Sequence, residues 1–141
     1  MKVPKRLLEA ASEAGLTVRA AAVYQTPKAM TATVLFGAVG AVVAAASGKN
    51  DHIPVRGAVV ATDDRLVVFE SFGAIVSSYR PVSTIERSAI SAVGVKRSKI
   101  TPTNATLEVQ LGETALRFDG WRSHIMDVAA ALGGEELAEA S

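Results

Sequence analysis

The chain has 141 residues, 49% of them hydrophobic and 21% charged, with a formal net charge of +1 and no cysteine. That is one domain's worth of sequence, with enough apolar residues for a core, so intrinsic disorder is excluded. The near-zero charge argues against general nucleic-acid binding, and the missing cysteines exclude disulfides, thiol catalysis and cysteine-based zinc or iron–sulfur sites. Residues 1–28 sum to +3 and residues 49–141 to −2. The first 28 residues hold no apolar core followed by a cleavage site, so no conventional signal peptide is expected, and the cytoplasm is the expected compartment.

The segment VPKRLLEAASEAG (residues 3–15) predicts a short amphipathic helix. Pro4 stands near its start, Gly15 is its stop, and Leu7, Leu8, Ala11 and Ala14 share a face. TVRAAAVYQ (17–25) predicts a first strand, which Thr26-Pro27 ends because proline cannot donate to a ladder.

Residues 29–47 carry no charge. As a helix, these nineteen residues would span about 28 Å, close to a hydrocarbon core. Leu35, Phe36, Val39, Val42 and Val43 would form one bulky stripe, with Thr33, Gly37, Gly40, Ala41 and Ala44 a flat face opposite. An inserted helix apolar all round must be buried in protein or in lipid. A single membrane crossing would put the first strand on the opposite side from residue 55 onward, so membrane entry requires a six-strand domain or a re-entrant hairpin. The run is rich in Ala and Gly, and no aromatic belt or cation cluster brackets it closely, which favours burial in protein.

After the loop GKNDHIP (48–54), the pattern changes to short strands with turns between them. VRGAVVAT (55–62) and RLVVFESF (65–72) flank Asp63-Asp64 in a tight hairpin; AIVSSYR (74–80) follows Gly73. AISAVGVKR (89–97) comes after a connection containing Pro and Ser. ATLEVQL (105–111) and TALRF (114–118) flank Gly112-Glu113, with Leu107, Val109, Leu111, Leu116 and Phe118 inward and Glu108, Gln110 and Arg117 outward. DGWRSHIMDVAAALGG (119–134) predicts a helix, with Asp119 as N-cap, Gly133-Gly134 as stop, and Trp121, Ile125, Val128 and Leu132 as its core stripe. The acidic tail 135–141 is expected to fray. No internal repeat is visible.

Seven antiparallel strands closed by a C-terminal helix resemble the pleckstrin-homology superfold. AVVATDDRLVVFE (58–70), IERSAISAVGVKR (85–97) and TLEVQLGETALRFDGW (106–121) are similar to segments of bacterial PH-like domains. The resemblance covers residues 55–133, within a single domain of residues 1–141. It implies an α+β fold, a PH-like seven-stranded sandwich or barrel capped by a helix. It also implies a binding scaffold for lipid head groups or proteins, with no catalysis. PH domains that grip phosphoinositides cluster basic residues after the first strand; here residues 26–54 hold only Lys28 and Lys49, which counts against that ligand.

Candidate chemistry is sparse. Arg87, Lys96, Arg97 and Lys99 form a candidate patch for an anion or an acidic partner, although charge at a strand end more commonly blunts a sheet edge. His124 beside Ser123 lacks the Gly-x-Ser-x-Gly elbow of an acyl-transfer site, and Asp51-His52 has no third metal ligand. No phosphate-binding glycine loop is present. The expectation is a non-enzymatic module without cofactor, metal, nucleic acid or small-molecule substrate. Its partner is a protein or a second copy, bound through Leu35, Phe36, Gly37, Val39, Gly40, Val42 and Val43. The alternative is a peripheral or monotopic membrane protein with residues 29–47 inserted in lipid.

Overall fold

The computed structural model describes residues 2–26, 30–31, 43–44, 52–73, 78–98, 101–112, 114–133 and 135–136. The chain opens with α1 (Lys5–Glu13) and β1 (Ala20–Gln25), followed by the short strands β2 (Met30–Thr31), β3 (Val43–Ala44) and β4 (His52–Ile53). The long strands β5 (Arg56–Ala61), β6 (Arg65–Phe72) and β7 (Ser78–Glu86) come next. A single 3₁₀ turn, Arg87–Ala89, leads to β8 (Ala92–Arg97), β9 (Asn104–Leu111) and β10 (Thr114–Trp121). The helix α2 (Arg122–Ala131) and the two-residue β11 (Glu135–Glu136) finish the described chain.

The seven long strands form one antiparallel meander in the order β8-β9-β10-β1-β5-β6-β7, so β1 joins the two halves by pairing with both β5 and β10. The sheet wraps around one core. Val59, Leu66, Val82, Ile85, Val95, Leu107 and Phe118 meet there, and α2 adds Ile125, Val128, Ala129 and Leu132. The fold is α+β, with a helix at each end of the chain. The inward residues of the β9–β10 hairpin, Leu107, Val109, Leu111, Leu116 and Phe118, are all buried as their alternation predicts, and Gly112 turns the hairpin at φ 62°.

A second apolar layer lies on the outer face of the sheet. Leu7 and Ala11 of α1 pack with Ala21, Ala58, Val60, Val67 and Phe69. With the core on one face and α1 on the other, β5 and β6 are buried on both sides. This explains why AVVA and LVVF run as unbroken apolar stretches rather than alternating. α1 ends in a Schellman motif: Gly15 has φ 77°, its N–H donates to Ser12 O at 3.0 Å, and the Leu16 N–H donates to Ala11 O at 3.0 Å.

Several expectations need correction. A helix over 29–47 does not hold at the four residues described there: Met30–Thr31 is extended against His52–Ile53, and Val43–Ala44 against Thr84 and Ile85 of β7. The rest of that segment lies outside the described residues. The strand expected over 74–80, followed by a Pro/Ser connection, is instead Ser78–Glu86 with Pro81 inside it; residues 74–77 lie outside the described residues. The register passes from Val68↔Ser83 to Phe69↔Pro81, leaving Val82 as the extra residue of a bulge. A bulge is one of the places where a strand accepts proline.

Asp119 is not a helix cap. It lies in β10 and accepts a hydrogen bond from the Thr106 hydroxyl across the sheet, and α2 begins three residues later with Trp121 at its N-cap position and no side-chain cap. Trp121 is accordingly half-buried rather than core. The tail is not wholly frayed, because Glu135–Glu136 pairs with β8.

Candidate interaction surfaces

β1, β6 and β10 run out at one end of the meander, and β5, β7 and β9 start there. Two glycines allow the strands to converge. A Cβ on Gly57 would overlap the Phe69 carbonyl oxygen, and one on Gly120 would lie 2.5 Å from the Val23 carbonyl oxygen. Between them Tyr24 is buried. Its ring meets Phe118 edge-on (centroids 4.7 Å apart, planes at 76°), and its hydroxyl donates to Pro54 O at 2.7 Å. Burial, with a further push from the Glu70 carboxylate, raises the Tyr24 phenol above its ordinary value of about 10.

This end carries an open groove of about 940 Å³, walled by Phe72, Tyr79, Trp121 and His124 and edged by Arg56 and Asp119. Phe72 is 45% exposed, which is high for a large apolar side chain. The Arg80 guanidinium sits 5.3 Å above its ring and also forks onto Glu70 Oε1, at 2.6 and 3.0 Å. The stacked cation holds Phe72 in place without covering it.

The uncharged insertion leaves and re-enters at this same end. The Thr26 N–H donates to Val55 O at 2.8 Å, and beyond it Met30 pairs with Ile53 and Thr31 with His52. Farther along, Val43–Ala44 lies against the outer edge of β7. The insertion therefore starts and finishes on one side of the fold. β1 also pairs with β5 along its whole length, from Ala20↔Ala61 to Gln25↔Arg56. A single membrane crossing between them is incompatible with that ladder.

Of the residues expected to make contacts, Leu35, Phe36, Gly37, Val39, Gly40 and Val42 lie outside the described residues, and Val43 is in β3, paired with Ile85. The basic residues are spread around β8. Lys96 Nζ is 3.0 Å from Glu108 Oε2, Arg87 Nη1 donates to Ile90 O at 3.0 Å, Arg97 is exposed, and Lys99 lies outside the described residues. His124 is half-buried at the rim of the groove. Asp51 lies outside the described residues. Among those described, no three His, Cys, Asp or Glu side chains are grouped to hold a metal ion.

Nor is any described helix long and apolar enough to cross a membrane. No family model, curated protein or solved structure matches the chain. The surfaces themselves carry the argument about function. The aromatic groove was not legible in the sequence, because Phe72, Tyr79 and Trp121 come from three different strands. The one available signal was Phe72 at the end of an otherwise buried strand, next to Gly73.

Proposed function

We propose that this chain is a non-enzymatic, PH-like binding module that associates with a protein partner or a second copy through its apolar insertion. The meander order, with the first strand joining both halves and a C-terminal helix on the core, supports the PH-like reading. The observation that carries the functional reading is the return of the insertion. Residues 27–51 leave and re-enter the fold at the end that exposes Phe72 and the aromatic groove. Residues 29–47 carry no charge, so an apolar cover is what they require, and apolar burial supplies the affinity. One well-packed large side chain contributes about 1.5–3 kcal/mol.

The test is light scattering coupled to size-exclusion chromatography on the intact chain and on Gly37→Leu and Gly40→Leu. The expected outcome is a defined oligomer for the wild type and a smaller mass or lower melting temperature for the variants. Wild-type mass and stability in both would overturn the reading.

A lipid surface is the second reading. It is favoured by the re-entry of the insertion on one side, together with Arg56, Lys2 and the aromatic residues at that end, a composition suited to an interface. Flotation with anionic vesicles, reversed by the same glycine substitutions, would move the assignment from protein to lipid.

A further inference from the structure

The groove holds a row of polar side chains that an apolar contact does not require. Gln25 is the register partner of Arg56 on one side and of Asp119 on the other, so the three stand side by side on one face of β5, β1 and β10. All three line the groove and are exposed. The row crosses two strand spacings, about 10 Å. Phe72 lies beyond Arg56, on the next strand, and Trp121 lies two residues after Asp119 with Asn104 as its register partner.

These groups have bonding capacity to spare. Among the described residues, the side chains of Arg56, Gln25, Asn104 and Trp121 make no hydrogen bond or ion pair. Asp119 accepts from Thr106 through Oδ1 and keeps its second oxygen. Guanidinium, amide and carboxylate are planar, and each presents two polar atoms side by side. The charges in the row are mixed: Arg56 shares it with Asp119, and the nearby Arg80 is already neutralised by Glu70 at 2.6 Å. A polyphosphate or a nucleic acid calls for clustered cations instead.

We propose that this row, with the aromatic rings at its two ends, is a binding site for a short, uncharged oligosaccharide. The hydroxyls along the edge of a sugar ring both donate and accept, and adjacent pairs of them match planar groups with two polar atoms. The C–H face of the ring is slightly positive and packs on the negative face of an aromatic side chain. The length of the row fits several linked sugars rather than one. A row of polar groups that is merely solvated would bind none of them.

Trp121 is the only tryptophan, so intrinsic fluorescence reports on the groove directly. The intact chain is titrated with cellotriose, chitotriose and maltotriose. At least one of these should shift Trp121 emission saturably, with half-saturation below about 10 mM. Arg56→Ala and Gln25→Ala, shown to be folded by circular dichroism, should each bind that sugar at least tenfold more weakly by calorimetry. Gly37→Leu and Gly40→Leu should bind it as wild type does, so this proposal and association through the insertion fail separately. No saturable response to any of the three sugars, unchanged affinity in both alanine variants, or tighter binding of inositol hexakisphosphate would each overturn the proposal.

Discussion

Gly57 and Gly15 differ in what surrounds them. Gly15 needs only its positive φ, since a Cβ there would meet nothing within 4 Å, whereas Gly57 sits against the Phe69 carbonyl with Tyr24 on its other side. Gly57→Ala should therefore lower stability by about 3 kcal/mol or more, and Gly15→Ala by only about 1–2 kcal/mol, in chemical denaturation. Similar losses in both would mean that β5 and β6 do not approach as closely as described. Tyr24 carries a pH signature. Because folding raises its phenol above the unfolded value of about 10, the folded chain keeps a proton that the unfolded chain gives up. Its contribution is full below pH 10 and is lost as pH rises above it, at up to about 1.4 kcal/mol per pH unit. Tyr24→Phe should flatten that alkaline slope while lowering neutral stability by about 1–2 kcal/mol through the unpaired Pro54 carbonyl. An unchanged slope would place the phenol in water.

At the scale of elements, α1 depends on its neighbours. Nine residues form a marginal helix alone, and this one is held by Leu7 and Ala11 against the outside of β5 and β6. Leu7→Ala should destabilise the protein by about 2–5 kcal/mol in thermal or urea unfolding. A change below 0.5 kcal/mol would mean α1 is not docked on the sheet. The 62–65 hairpin shows how side chains stabilise a turn that backbone preference does not. No non-glycine residue in the described chain has positive φ, so Asp63-Asp64 cannot form the primed turn usual for a two-residue loop. The turn is braced instead. Thr62 Oγ1 donates to Asp64 Oδ1 at 3.1 Å, Arg19 pairs with Asp63, and the Arg87 N–H donates to Asp64 O at 2.8 Å. Hydrogen bonds from Arg65 and Thr62 hold the Asp64 carboxyl below its usual range. The strand boundaries misread in the sequence have similar local causes. Asp119-Gly120 reads as a helix start, but Asp119 is bonded across the sheet to Thr106, and Gly120 is the residue that lets β10 pass close to β1.

At the scale of the whole molecule, the β1–β5 ladder decides the relation of the fold to any membrane. Gln25 and Arg56 are register partners and both exposed, so they must lie in the same compartment. The chain has no cysteine of its own, which makes Gln25→Cys and Arg56→Cys clean labelling sites. In spheroplasts or sealed vesicles, a membrane-impermeant maleimide should modify both variants or neither. Labelling of only one would require residues 27–51 to cross the membrane and would break the sheet as described. The same ladder leaves the meander with two outer strands, and the chain covers part of each with segments from elsewhere.

The sequence by itself determined the number of long strands, the presence of the two flanking helices, the turns at 63–64 and Gly112, and the inward set of the last hairpin. Each rests on local periodicity and on Gly, Pro or Asp at turns, which need no knowledge of distant residues. Only the tertiary structure decided that β1 stitches the two halves together, that α1 covers the outside of β5 and β6, and that Phe72, Tyr79 and Trp121 share one groove. It also decided that the acidic tail returns to β8. These are pairings between residues far apart in the chain. Register and burial on both faces are set by the partner strand and the packed layer, and an alternating or continuous apolar pattern does not name that partner.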